Sequence, residues 1–176
     1  VSIPLISLDT AWHNASEIAL SPRLAPWVME AASLTARLKR HCQQFRVQVL
    51  QEQRAVLPPF LQPLLPATQQ AQVREVILWC NEQPCVYAQS WLPLDTLNIL
   101  RPLADLGERP LGDYIFQHQD LSRGAIEVAE LQLRLPQLAL TSSCLARRSV
   151  FQLQQLPLLV AEVFLPAIVN LQQVQP

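Results

Sequence analysis

Glycine is nearly missing from this chain: Gly107, Gly112 and Gly124 are the three in 176 residues, and none falls in a G-x-G-x-x-G or phosphate-loop pattern. Without such glycines the backbone cannot approach a pyrophosphate closely, so a nucleotide cradle is not expected. Histidine is as scarce. His13, His41 and His118 stand far apart with no H-E-x-x-H among them, which argues against metal-dependent hydrolysis. No serine occupies a G-x-S-x-G elbow. Cys42, Cys80, Cys85 and Cys144 contain no C-x-x-C pair and are read as buried free thiols, although Cys80 and Cys85 flank a turn that brings them close. Charge is sparse too. Lys+Arg 13 against Asp+Glu 14 leaves a net charge of -1, so no basic field invites nucleic acid. The locally basic stretches at residues 37–40 and 147–148 read as solvated faces. Pro and charged residues interrupt every apolar run before the ~20 residues that a membrane helix needs. No membrane insertion is expected. The first residues lack the basic start and apolar core of a secretory signal, so the cytoplasm is the default compartment.

Apolar residues and proline are plentiful, at 50% hydrophobic content and 15 prolines. A chain of 176 residues can bury one sizeable core but not two ordinary ones. Residues 1–22 read as a loose leading segment, 23–168 as the domain and 169–176 as a frayed tail. Leu24, Trp27, Val28, Ala31, Leu34 and Leu38 recur at helical spacing, which predicts one amphipathic helix over residues 23–42. A strand over 45–53 precedes a proline-rich crossing at 57–66, read as a rigid flap or connector. Two strands, 72–80 and 85–92, form a hairpin around residues 81–84. A helical stretch at 95–106 stops at Gly107, and a short helix follows Pro110. Strands at 126–135, 147–154 and 158–165 complete the chain, with 136–144 a loose insertion. Strands joined by short links, with helices gathered in two places, argue for an α+β domain on one antiparallel sheet.

Two charged residues lie where charge is costly. In Leu158-Leu159-Val160-Ala161-Glu162-Val163-Phe164-Leu165, alternation puts Glu162 on one face with Val160 and Phe164. Desolvation there disfavours a charged carboxylate, so Glu162 is either paired with an arginine or kept as a proton donor. Arg74 shares its face with Val76, Leu78 and Cys80. A guanidinium on an apolar face needs an anion, and its planar fork suits a carboxylate. Either Glu162 or a ligand is the partner.

Arg74-Glu75-Val76-Ile77-Leu78, then Arg109-Pro110-Leu111-Gly112-Asp113-Tyr114-Ile115-Phe116, then Arg147-Arg148-Ser149, then Pro157 through Pro166 come in an informative order. In order and approximate spacing they resemble the chorismate–pyruvate lyase family, over residues 24–166. The resemblance implies an antiparallel sheet of about six strands, helices covering one face and an active site enclosed beneath flaps. It also implies chemistry without metal or organic cofactor. The implied reaction releases the enolpyruvyl group of chorismate as pyruvate and leaves 4-hydroxybenzoate, the ring precursor of ubiquinone or plastoquinone. In the family pattern the ring carboxylate is held by the arginine falling on Arg74, by the backbone N–H of the residue matching Leu111 and by a backbone contact falling on Leu34. Leu34 stands where the family has a methionine. Glu162 matches the glutamate beside the hydroxyl and ether oxygens, as general acid or as orienting group. Arg37, Arg123, Arg147 and Arg148 are unranked candidates for the enolpyruvyl carboxylate. The expected partners are chorismate and 4-hydroxybenzoate alone, with the chain acting as a monomer. The rival class is a non-catalytic effector-binding domain of the same fold, as in transcription regulators. Such domains follow a DNA-binding helical module, which the short stretch ahead of residue 23 does not supply.

Overall fold

The computed structural model describes residues 4–172 and 174. One eight-stranded sheet, every pair antiparallel, runs in the order β1-β6-β7-β8-β4-β3-β2, with β5 paired to β7 off this path. Six strands are long: β2 (Phe45–Val56), β3 (Gln70–Cys80), β4 (Gln83–Pro93), β6 (Glu127–Leu135), β7 (Leu140–Leu153) and β8 (Leu156–Phe164). The other two, β1 (His13–Asn14) and β5 (Ser122–Arg123), are two-residue pieces. The β3–β4 and β7–β8 hairpins turn on two residues each. Asn81 and Glu82, and again Gln154 and Gln155, adopt positive φ, the backbone handedness that matches strand twist in a two-residue hairpin.

Both faces of the sheet are covered, which explains why β4 and β8 read as continuous apolar runs. On the front face lie α1 (Ala25–Val28), α2 (Leu34–Lys39), α3 (Leu94–Ile99) and α4 (Leu111–Ile115). The back face is closed by Ile6 and Leu8 near the N-terminus and by Leu57, Leu61 and Leu65 of the proline-rich crossing. No helix among the described residues is long and apolar enough to cross a membrane.

Several expectations are corrected. The leading segment is not loose where described: Ile6 and Leu8 are buried, and Leu5 N–H donates to the buried Glu75 carboxylate at 2.9 Å. Glu75 also accepts from Tyr87 Oη–H and Gln51 Nε2–H. Burial, followed by the adjacent Glu75 charge, pushes the Tyr87 phenol well above its usual value. At the other end Val169 and Leu171 pack on the core, and Val174 N–H donates to Arg40 O, so the expected fraying is not seen there. Residues 173, 175 and 176 of that tail lie outside the described residues. The single helix over 23–42 is two short helices, because residues 29–33 leave the helical path and Ser33 Oγ caps α2 through Ala36 N–H. The stretch 95–106 is likewise interrupted at Leu100, and its last helical residue is Leu103 of the 3-10 turn Arg101–Leu103, so Gly107 at φ 57 shapes a separate turn instead of ending a helix. The loose insertion at 136–144 is instead a 3-10 turn, Pro136–Leu138, followed by the first part of β7 paired in register with β6.

Cysteine pairing also differs. Cys42, just beyond α2, is bonded to Cys80 at the end of β3, across 38 positions, and only Cys85 and Cys144 are free. The cross-link is worth about 2–4 kcal/mol through restriction of the unfolded chain. Burial pushes the Cys85 thiol up to about 11 and raises Cys144 too, which removes the reactive thiolate near neutral pH. Native protein is therefore expected to react slowly with a chromogenic disulfide reagent. Denatured without reductant it should titrate the two free thiols, and after reduction all four. Four thiols without reductant would show that Cys42 and Cys80 are not bonded.

Candidate active site

Strand alternation and cross-strand register assemble the site on the front face. Arg74, Val76 and Leu78 of β3 face the helices, with Ser90 opposite Arg74 and Ala88 opposite Val76 on β4. On β8, Val160 lies opposite Ser90 and Glu162 opposite Ala88. Continuing onto β7, Ser149 pairs Val160 and Arg147 pairs Glu162. Arg74 and Glu162 are thus two strands and one row apart, roughly 12 Å between Cα atoms from ordinary sheet spacings. They face one cavity without touching.

That cavity has an empty volume of about 560 Å³ with its mouth included. Arg74, Ser90, Val160 and Glu162 form its floor, Leu34 and Thr35 of α2 one wall, and Pro110, Leu111 and Gly112 at α4 another. All four residues expected from the sequence, Arg74, Leu111, Leu34 and Glu162, line it together. A Cβ on Gly112 would meet Ser33 Oγ at 3.2 Å and Thr35 Oγ1 at 3.3 Å, so glycine there lets α4 close against α2. Leu111 follows Pro110 at the start of α4, which has no capping side chain; its N–H has no partner among the described residues.

Arg74 is 2% exposed and is paired with Glu52, not with Glu162. One Nη1–H donates to Glu52 Oε1 at 2.5 Å and one Nη2–H to Arg109 O at 3.0 Å. Of the five N–H donors of a guanidinium, three stay free for a ligand. Glu52 reaches Arg74 because of a register shift between Val49 and Gln51, which sets Gln51 opposite Glu75 and Glu52 opposite Arg74. A bulge of this kind re-aims the residues beyond it to the other face. Nothing in the local pattern of β2 shows where it falls.

Glu162 forms a salt bridge with Arg147, whose Nε–H donates to Oε2 at 2.9 Å. Arg147, read from the sequence as part of a solvated basic pair, is 1% exposed. Its Nη1 group donates to Val28 O at 2.9 Å and Glu30 O at 2.8 Å, and more weakly to Trp27 O at 3.3 Å. Those carbonyls are the ones that a continuous helix over 23–42 needs for itself, which accounts for the break between α1 and α2. Oε1 of Glu162 has no hydrogen-bond partner among the described residues and is left for the cavity. Of the two alternatives that the strand pattern left open for Glu162, the arginine partner is the one present, and that partner is Arg147. No cluster of three or more His, Cys, Asp or Glu side chains among the described residues is placed to hold a metal ion.

Comparison with known proteins bears on the family and the fold. A family model described as chorismate lyase matches residues 7–174. The chain belongs to that family. A probable chorismate pyruvate-lyase of Pseudoalteromonas translucida is 46% identical over 170 residues, covering 92% of this chain and 94% of the relative. The chorismate pyruvate-lyase of Hamiltonella defensa is 34% identical over 160 residues, covering 89% and 85%. Among solved structures, PhnF of Mycobacterium smegmatis superposes with a TM-score of 0.58 at 15% identity, covering 84% of this chain and 70% of that one. At that identity the likeness concerns the fold alone.

Proposed function

We propose that this member of the chorismate lyase family converts chorismate to 4-hydroxybenzoate and pyruvate, and that Arg74, Leu111, Leu34 and Glu162 are its working residues. The observation that carries the reading is their convergence on one cavity, with a cation and a carboxylate held apart by separate ion partners. Arg74 and the free N–H of Leu111 take the ring carboxylate, with a backbone contact from Leu34. This places C4 of the ring toward Glu162. Glu162 accepts the C4 proton as the C3–O bond breaks, the ring becomes aromatic, and the three-carbon enolate departs. Protonated Glu162 then returns the proton to that enolate, giving pyruvate and restoring the carboxylate. Aromatisation supplies the driving force, so the protein contributes orientation and a proton relay, and no metal or organic cofactor is called for. The enzyme acts as a cytoplasmic monomer, and its product supplies the ring of ubiquinone or plastoquinone.

The test is direct. Purified protein mixed with chorismate in excess chelator is expected to release 4-hydroxybenzoate, followed by its absorbance, at the rate seen without chelator. Activity lost on chelation and restored by one divalent ion would overturn the cofactor-free reaction. Binding of chorismate without any turnover would assign the cavity to sensing instead.

A further inference from the structure

Four arginines compete in the sequence for the carboxylate of the leaving group, and the fold separates them. Arg148 is paired with Glu127 at 3.0 Å and lies over Trp12, away from the cavity face of β7. Arg37 lies on α2, with its guanidinium over the Trp27 ring. Arg147 is committed to Glu162 and to the carbonyls at 27–30.

Arg123 is different. It extends from β5 beside β7, donates Nε–H to Ser149 Oγ at 2.9 Å and lies 4.9 Å over the ring of Phe151, which lines the cavity. Its Nη1 group donates to Glu30 O at 3.1 Å and Ala31 O at 3.3 Å. It forms no salt bridge among the described residues: every acceptor it holds is neutral. The nearby carboxylates are already engaged, Glu162 with Arg147 and Glu30 with Arg40 at 3.7 Å. Burial and then the charge of Arg147 lower Arg123 to about 10, against partial support from Glu162 and Glu30. Three guanidinium groups therefore face two carboxylates, and the surplus positive charge rests at the Glu162 end of the cavity.

We propose that Arg123 binds the second carboxylate of the substrate, the one on the departing three-carbon enol ether. The inference rests on the lyase reading above. With the ring carboxylate on Arg74 and C4 toward Glu162, the ether substituent on the neighbouring C3 projects from the same end, behind whose lining Arg123 shares the Glu30 carbonyl with Arg147. A carboxylate makes stronger, charge-assisted bonds to a guanidinium than a peptide carbonyl does, so it displaces the carbonyls of Glu30 and Ala31 from Arg123. Once the three-carbon product has left, those carbonyls return. 4-Hydroxybenzoate lacks the second carboxylate and never uses Arg123.

The difference between the two ligands supplies the test. Arg123→Met keeps the apolar stem over Phe151 and removes the charge, so kcat/KM for chorismate is expected to fall by about 10–100-fold, mainly through KM. The dissociation constant of 4-hydroxybenzoate, measured by titration calorimetry, is expected to stay within about threefold. Arg123→Lys should recover part of the loss. An unchanged KM for chorismate, or an equal loss of affinity for 4-hydroxybenzoate, overturns the assignment. If Arg123→Met fails to fold, Ser149→Ala decides, because it frees Arg123 from its anchor and retains the charge: a raised KM for chorismate with unchanged 4-hydroxybenzoate affinity supports the subsite, and no change overturns it. Parent protein that does not turn over chorismate defeats the lyase reading itself, and this one with it. Parent turnover combined with an indifferent Arg123 defeats this one alone.

Discussion

Glu162→Gln is expected to lower kcat by about 10²–10⁴-fold while 4-hydroxybenzoate still binds. The amide keeps the size of the side chain and leaves an oxygen for Arg147, but it cannot take the C4 proton or hand it to the enolate, and positioned proton transfer is worth that range. The same change removes the counter-charge of a guanidinium that is 1% exposed. Breaking a buried pair from one side costs about 3–5 kcal/mol, and the carbonyls that Arg147 keeps should hold the loss toward the lower end. Rates and product affinity must therefore be measured well below the lowered melting temperature. A variant that binds product normally and retains more than about a tenth of kcat would mean that the substrate moves its own proton and Glu162 only orients it.

Arg74→Ala is expected to act first on binding. It deletes the cation that holds the ring carboxylate of substrate and product alike, and hydrogen bonds to charged groups are worth about 1.5–3 kcal/mol. The dissociation constant of 4-hydroxybenzoate should rise by about 10–100-fold, with a comparable fall in kcat/KM for chorismate. Stability should fall less than in Glu162→Gln, because the abandoned Glu52 is 29% exposed and can be solvated. Product affinity that survives the substitution would place the ring carboxylate elsewhere in the cavity. Had Arg74 and Glu162 been partners in the core, the two variants would share one phenotype; their separate ion partners predict two.

Much of the frame was legible because it depends on local geometry. A period of two decides which face of a strand a side chain occupies, so Arg74 could be grouped with Val76 and Leu78, and Glu162 with Val160, before any fold was known. The hairpin at Asn81 follows from residues that accept positive φ. Elements stabilised by distant partners were misread. The 136–144 stretch carries Thr141, Ser142 and Ser143, whose polarity hides a strand that is placed by its ladder to β6 and by the buried Leu133 and Leu135 of that partner. The periodicity over 23–42 is helical throughout, yet Arg147, 117 to 120 positions away, takes the carbonyls that would continue the helix.

By itself, then, the sequence determined the α+β class, the faces of the strands and the presence of a costly cation and a costly carboxylate on apolar strand faces, since alternation and desolvation act residue by residue. It also carried, through its ordered motifs, the resemblance to the chorismate lyase family. Only the tertiary structure decided who neutralises whom. The Arg147–Glu162 contact needs the β7–β8 register, the Arg74–Glu52 contact needs a register shift in β2, and the Cys42–Cys80 bond needs α2 packed at the end of β3. Ion pairs and disulfides act over a few ångströms between segments far apart in the chain, and no local pattern encodes which segments the fold brings that close.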